Sequence, residues 1–126
     1  MTRPRQRLLI VEDDPLITVF MTKALQTKGY DVASVGTGAE AVEAVQRGGL
    51  DLVMLDLGLP DVDGLDVLRT VRTTQPDLPV LIVTSRSDPG DRAVALSLGV
   101  SGYVVKPFPL ATLLAAVSES LHVAID

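Results

Sequence analysis

The sequence predicts a doubly wound α/β domain, a parallel sheet held between two layers of helices. Three observations predict it. Five apolar runs have strand length, five segments of helical spacing alternate with them, and the runs are continuously apolar rather than alternating. Continuous hydrophobicity marks strands covered on both faces, which a parallel sheet between helix layers requires.

The elements follow in order. The first strand spans 7–11 and leads to Asp14-Pro15, where Asp14 can cap orphan N–H groups and proline occupies the first helical position without losing a useful donor. The first helix therefore spans 15–28, and Gly29 closes it. The second strand spans 31–35 and the second helix 38–47, stopped by Gly48-Gly49. A third strand at 51–55 precedes a helix at 64–74, and a fourth at 79–84 precedes a helix at 91–98 that ends at Gly99. The last pair is a strand at 102–105 and a helix at 110–121, whose Leu110, Leu113, Leu114 and Val117 form an apolar core face. His122 falls past the last helical repeat, at a solvated terminus.

Composition narrows the function. A chain of 126 residues is expected to fold as one domain around one core. The absence of cysteine excludes disulfides, thiolate metal sites and a cysteine nucleophile, and one histidine cannot build a multi-histidine site. No apolar run approaches the roughly 20 residues of a membrane helix, and Leu8 to Val11 is too short for a signal segment, so a cytoplasmic protein is expected. The formal charge of −5 disfavours nucleic acid, whose nonspecific affinity comes from Lys and Arg. The basic cluster Arg3, Arg5 and Arg7 alternates as a solvated arm leading into a strand, and two Tyr, two Phe and no Trp leave few stacking surfaces.

In a doubly wound fold chemistry sits at the carboxyl ends of the strands. There the sequence places Glu12-Asp13-Asp14 after the first strand, Asp56 after the third, Thr84-Ser85 after the fourth and Lys106-Pro107 after the fifth. Ionised Glu12, Asp13 and Asp56 with Lys106 leave two negative charges uncompensated, and each close like-charge pair costs roughly 4 kcal/mol at an effective dielectric near 20. A divalent cation would cancel them. Oxygen-only ligands suit Mg²⁺ or Mn²⁺, and magnesium takes one or two carboxylates together with waters and phosphate oxygens. Each residue also has a plainer role: Asp14 as a cap, Asp56 as a turn initiator, Thr84 as a β-branched strand residue, Lys106 as a solvent-facing side chain. Their joint occurrence favours the site.

Five blocks now resemble the receiver domains of two-component response regulators: 8–15 (LLIVEDDP), 52–64 (LVMLDLGLPDVDG), 83–86 (VTSR), Gly99, and 103–108 (YVVKPF). The resemblance runs from about Gln6 to Leu121. It implies a flavodoxin-like (βα)5 fold with strand order 2-1-3-4-5. It also implies that Asp56 takes the phosphoryl group of a sensor kinase phosphohistidine, or of a small acyl phosphate. Glu12, Asp13, Asp56 and the backbone carbonyl of Gly58 would hold Mg²⁺, and Lys106 would contact a phosphoryl oxygen. Thr84 and Tyr103 match the switch pair, with the hydroxyl moving to the phosphoryl oxygens and the ring turning inward behind it. The implied function is a phosphorylation-dependent signalling switch rather than a turnover enzyme, acting through the fourth helix, fifth strand and fifth helix. Its implied partner is a sensor histidine kinase or phosphotransfer protein.

The loop at 57–64 resembles the subfamily that carries winged-helix DNA-binding domains and dimerises on phosphorylation through that same surface. Ser101-Gly102 stand where the subfamily has an acidic pair, and the fifth helix lacks the basic partner, so its interfacial salt bridges are not expected here. Ser85 stays small beside the site. Gly58 and Arg86 occupy positions that tune dephosphorylation in the family. The chain ends about five residues beyond its last predicted helix, so one receiver domain over 1–126 with no effector domain is expected. Two rivals are a constitutive interaction module of the same fold and a Mg²⁺-dependent aspartyl phosphatase. The phosphatase pattern has a second acid two residues after the nucleophile, where this chain has Gly58. A flavin or dinucleotide binder is excluded, because Glu12-Asp13-Asp14-Pro15 offers carboxylates in place of a glycine-rich phosphate turn.

Overall fold

A computed structural model describes residues 5–123. The elements run β1 (Arg7–Val11), α1 (Pro15–Thr27), β2 (Asp31–Val35), α2 (Gly38–Arg47), β3 (Leu52–Leu55), α3 (Gly64–Thr74), β4 (Val80–Thr84), α4 (Pro89–Ser97), β5 (Gly102–Val105) and α5 (Leu110–Val123). The strands pair in parallel in the order β2-β1-β3-β4-β5, the doubly wound topology that the sequence resemblance implies.

The strand period of two divides the core. Leu9, Val11, Val53, Leu55, Val80 and Ile82 face a layer completed by α2, α3 and α4. Leu8, Ile10, Leu52, Met54, Leu81, Val83 and Val104 face α1 and α5. Carried past the strand ends, the same alternation puts Glu12, Asp56 and Lys106 in register with the second set, and Thr84 and Tyr103 with the first. This is how Glu12, Asp56, Thr84 and Lys106, from four strand ends, reach one crevice from both sheet faces, with Tyr103 beside it on the first face.

Several expectations need correction. β2 is an edge strand in which Asp31, Ala33 and Ser34 are exposed, so it is not covered on both faces. Helix α4 begins at Pro89 rather than residue 91, because Asp88 accepts from the Gly90 N–H at 2.6 Å with proline at the first position, repeating the Asp14-Pro15 arrangement. Helix α1 stops one residue early, with Lys28 as its C-cap. Asp51 and Pro79 precede their strands rather than opening them. Helix α5 continues to Val123, so His122 lies within it, exposed, its Nδ1 2.7 Å from the Ser118 carbonyl oxygen. Leu110 is exposed, while Leu113 and Val117 are fully buried. Of the basic cluster, Arg5 and Arg7 are exposed and Arg3 lies outside the described residues.

The glycine stops behave as expected: Gly29, Gly48, Gly49 and Gly99 all take positive φ, a conformation a Cβ would oppose. Gly64 has a different reason to be glycine. A Cβ there would overlap the backbone of Leu57 and lie 2.6 Å from the Asp56 carbonyl oxygen, so α3 packs directly on the chain that carries Asp56.

Candidate functional site

The site is built from strand ends. Glu12 follows β1 and Asp56 follows β3, each about 5% exposed, and the Asp56 amide donates to the Val11 carbonyl at 3.0 Å. That bond holds the two acidic termini side by side. Asp13 is exposed at the rim, and carboxylate oxygens of Glu12, Asp13 and Asp56 all lie within 4.8 Å of one another. Lys106, at the end of β5, donates to Asp56 Oδ2 at 2.9 Å and also to Glu12 Oε1. Its amide is held by the Thr84 carbonyl at 2.8 Å, and the following Lys106–Pro107 peptide is cis.

Asp56 is fully engaged. Its Oδ1 accepts from the fully buried Thr84 hydroxyl at 2.8 Å and from the Gly58 N–H at 3.0 Å. Gly58 in turn pairs with Asp63 in an isolated antiparallel bridge that closes the loop between β3 and α3. Burial pushes the Glu12 carboxyl above its ordinary value, outweighing the Lys106 ammonium and the Asp14 N–H that favour its charged form. Burial would lower Lys106, but its bonds to Glu12 and Asp56 dominate and raise it, so the ammonium stays charged. The donor set is oxygen only, three carboxylates share one cation, and the third carboxylate faces solvent; that set fits a hard divalent cation such as Mg²⁺ or Mn²⁺.

The structure brings Glu12, Asp13, Asp56, Thr84 and Lys106 together. Tyr103 lies one layer away, half-buried against the α2–α4 core, its hydroxyl donating to the Arg86 carbonyl at 2.7 Å and the Arg92 guanidinium 5.3 Å over its ring. The Asp14 carboxylate caps α1 through the Leu16 N–H at 2.9 Å and stays out of the cleft, where only the Asp14 N–H contributes, donating to Glu12 Oε2 at 3.0 Å.

Three neighbouring residues escaped the reading of the sequence. Asp63 caps α3 through the Leu65 N–H at 2.9 Å and also accepts from Arg86 Nη1 at 3.1 Å. Asp91 accepts from Arg86 Nε at 3.0 Å. Asp61 reaches back to the start of α2, accepting from Gly38 and Ala39 N–H at 2.8 and 3.0 Å. The spacing of Asp63 before a helical run was a usable cap signal. The other contacts are long-range and leave no local pattern.

Fold and site together define a class: a flavodoxin-like α/β domain with an acidic, lysine-bearing cleft at the carboxyl ends of its strands. The model of the response regulator receiver domain matches residues 8–118, and the chain belongs to that family. The transcriptional regulatory protein BasR of Escherichia coli is 44% identical over 116 residues, which are 92% of this chain and 52% of BasR. The chain thus spans about half the length of the curated relatives it matches. Among solved structures, a CheY-like receiver domain protein from Methanospirillum hungatei superposes with a TM-score of 0.93 at 26% identity, covering 97% of this chain and 98% of that one. The receiver domain of the sensor histidine kinase PA1611 from Pseudomonas aeruginosa, described with a magnesium ion coordinated in its active site cleft, gives 0.85 at 30% identity, covering 94% and 99%.

Proposed function

We propose that this chain is a phosphorylation-dependent signalling switch, a single receiver domain over 1–126 that takes a phosphoryl group on Asp56. The observation that carries the reading is the environment of that carboxylate: Lys106 on Oδ2, Thr84 and Gly58 on Oδ1, and two further acids beside it. The donor is a phosphohistidine on a sensor kinase or phosphotransfer protein, or a small acyl phosphate. A carboxylate oxygen attacks phosphorus in line, the bond from phosphorus to the donor imidazole nitrogen breaks, and its electron pair returns to the ring. Glu12, Asp13, Asp56 and the Gly58 carbonyl would hold Mg²⁺, which supplies charge neutralisation for the transferring oxygens. Lys106 holds a fixed positive charge where phosphoryl charge develops. The buried Thr84 hydroxyl gives up Asp56 for a phosphoryl oxygen, and Tyr103 follows, altering the surface of α4, β5 and α5.

On α1, Leu16, Val19 and Phe20 are exposed, and Phe20 lines a pocket with Ser85 and Lys106, which suits a protein donor that must present its phosphohistidine to a recessed acid. In this reading the chain works in the cytoplasm, loses the phosphoryl group slowly by its own hydrolysis, dimerises when phosphorylated, and does not itself contact nucleic acid. Among the described residues no helix is long and apolar enough to cross a membrane. Since relatives such as BasR are transcriptional regulators, the output we propose is control of transcription through the part of such proteins that this chain does not match.

Intact mass after incubation with Mg²⁺ and a small acyl phosphate tests the reading. One phosphoryl adduct is expected on the wild type and none on Asp56→Asn, which keeps the volume and loses the nucleophile. Full uptake by the variant would refute Asp56 as the acceptor.

A further inference from the structure

We propose that Arg86 is a positioning residue for the switch pair: its side chain pins the one residue to whose backbone the Thr84 and Tyr103 hydroxyls are both tied. The inference rests on the reading of Asp56, Thr84 and Tyr103 given above. The Arg86 N–H donates to Thr84 Oγ1 at 3.3 Å, and its carbonyl accepts from the Tyr103 hydroxyl at 2.7 Å. Residues 85–88 lie between β4 and α4, outside any ladder or helix, so regular structure does not fix the backbone at Arg86.

The guanidinium does. Nε donates to Asp91 Oδ2 at 3.0 Å, with Nη2 also 3.0 Å from that oxygen. Nη1 donates to Asp63 Oδ1 at 3.1 Å and to the Leu57 carbonyl at 3.2 Å. These anchors are the first turn of α4, the N-cap of α3 and the residue after Asp56. A planar fork with several donors can satisfy all three at once, which a lysine ammonium on a flexible stem does less well. The arginine side chain is 31% exposed and Asp91 26%, whereas the ordinary surface pair Arg69–Asp66 is 52% and 67% exposed. Water therefore screens the Arg86–Asp91 contact less, while the Asp63 side chain is 45% exposed.

With the guanidinium seated, the Tyr103 hydroxyl meets an acceptor in a defined place, and a displacement of Thr84 reaches Tyr103 through the backbone of one residue, Arg86. With it removed, the loop relaxes and the docked ring position loses its advantage. A typical hydrogen bond corresponds to about a fivefold change in such a population.

The test is NMR of the full chain carrying labelled tyrosine, with Tyr30, the only other tyrosine, as internal reference. Arg86→Gln and Asp91→Asn should move the Tyr103 ring signal in the same direction, by a shift equivalent to about a fivefold loss of the docked ring. The double variant should move it no further than Arg86→Gln alone. Arg86→Lys should behave like Arg86→Gln, and Arg69→Gln should leave Tyr103 at its wild-type position. If Arg86→Gln does not fold, Asp91→Asn carries the comparison. An unmoved Tyr103 in a folded Arg86 or Asp91 variant overturns the proposal, and so does an equal movement in Arg69→Gln. Intact mass on the same samples separates the two levels. A wild type without adduct removes the switch reading, whereas a wild type with adduct and an unmoved Tyr103 in the variants removes only the role of Arg86.

Discussion

Carboxylates serve opposite ends in two regions of this domain. Around the rim, Asp14, Asp61, Asp63 and Asp88 each accept backbone N–H groups at helix N-termini, where the helix dipole and unpaired donors favour negative charge. In the cleft, Glu12, Asp13 and Asp56 crowd within 4.8 Å around one lysine. The pKa directions follow the difference. The Gly38 and Ala39 N–H groups hold Asp61 below its ordinary value. Burial would raise Asp63, but the Leu65 N–H and Arg86 bring it down. Glu12 goes the other way, raised by burial. The rim acids gain from the N–H groups they accept, whereas in the cleft burial and the neighbouring Asp56 work against the charge of Glu12. The same residue type is thus structural or functional according to whether backbone donors or other acids surround it.

The largest effect is expected where the two regions meet. Gly64→Ala forces α3 away from the Asp56–Leu57 backbone and should cost about 3 kcal/mol in denaturant unfolding. Next, Mg²⁺ at a hundredfold excess over its Kd should stabilise the wild type by about 2.7 kcal/mol and Asp13→Ala by much less. Equal responses would remove the cleft as the binding place. Asp14→Ala should lose about 1 kcal/mol with phosphoryl uptake unchanged. By contrast, Asp13→Asn in chelator should gain up to about 1 kcal/mol, because it removes repulsion and breaks no cap. A loss in both would end the contrast.

The smallest effects lie in the pH dependence of the thermal midpoint. Asp61 and Asp63, depressed in the fold, contribute stability that is present above 3.8 and lost as pH falls through their lower folded values. Glu12, raised in the fold, contributes stability that is present below 4.5 and lost as pH rises through its higher folded value. Asp61→Asn should therefore flatten the acid limb, and Glu12→Gln should flatten the decline just above 4.5.

Much of this arrangement could be read from the sequence, for a physical reason. In a parallel sheet all strand ends that carry chemistry point the same way, so finding the apolar runs was enough to gather Glu12, Asp13, Asp56, Thr84 and Lys106 at one edge. Local signals serve equally well at Asp14-Pro15 and at Asp88-Pro89, where the same cap and proline set the start of α4 ahead of its apolar spacing. Hydrophobicity alone misjudged β2, since a run can be apolar enough for a strand and still lie at the sheet edge. Nothing local reports that Arg86 folds back onto Asp63, 23 residues earlier, or that Asp61 caps a helix 23 residues upstream. Those contacts exist only once the layers have packed.

The most direct measurement locates the phosphoryl group. Borohydride reduction of the acyl phosphate, followed by peptide mass analysis, converts the modified carboxyl to an alcohol and marks its position. Modification at Asp56 alone, dependent on Mg²⁺ and absent after chelation, is the predicted result. Modification at Glu12 or Asp13, or none with either an acyl phosphate or a phosphorylated kinase, would contradict the cleft as a phosphoryl acceptor built around Asp56.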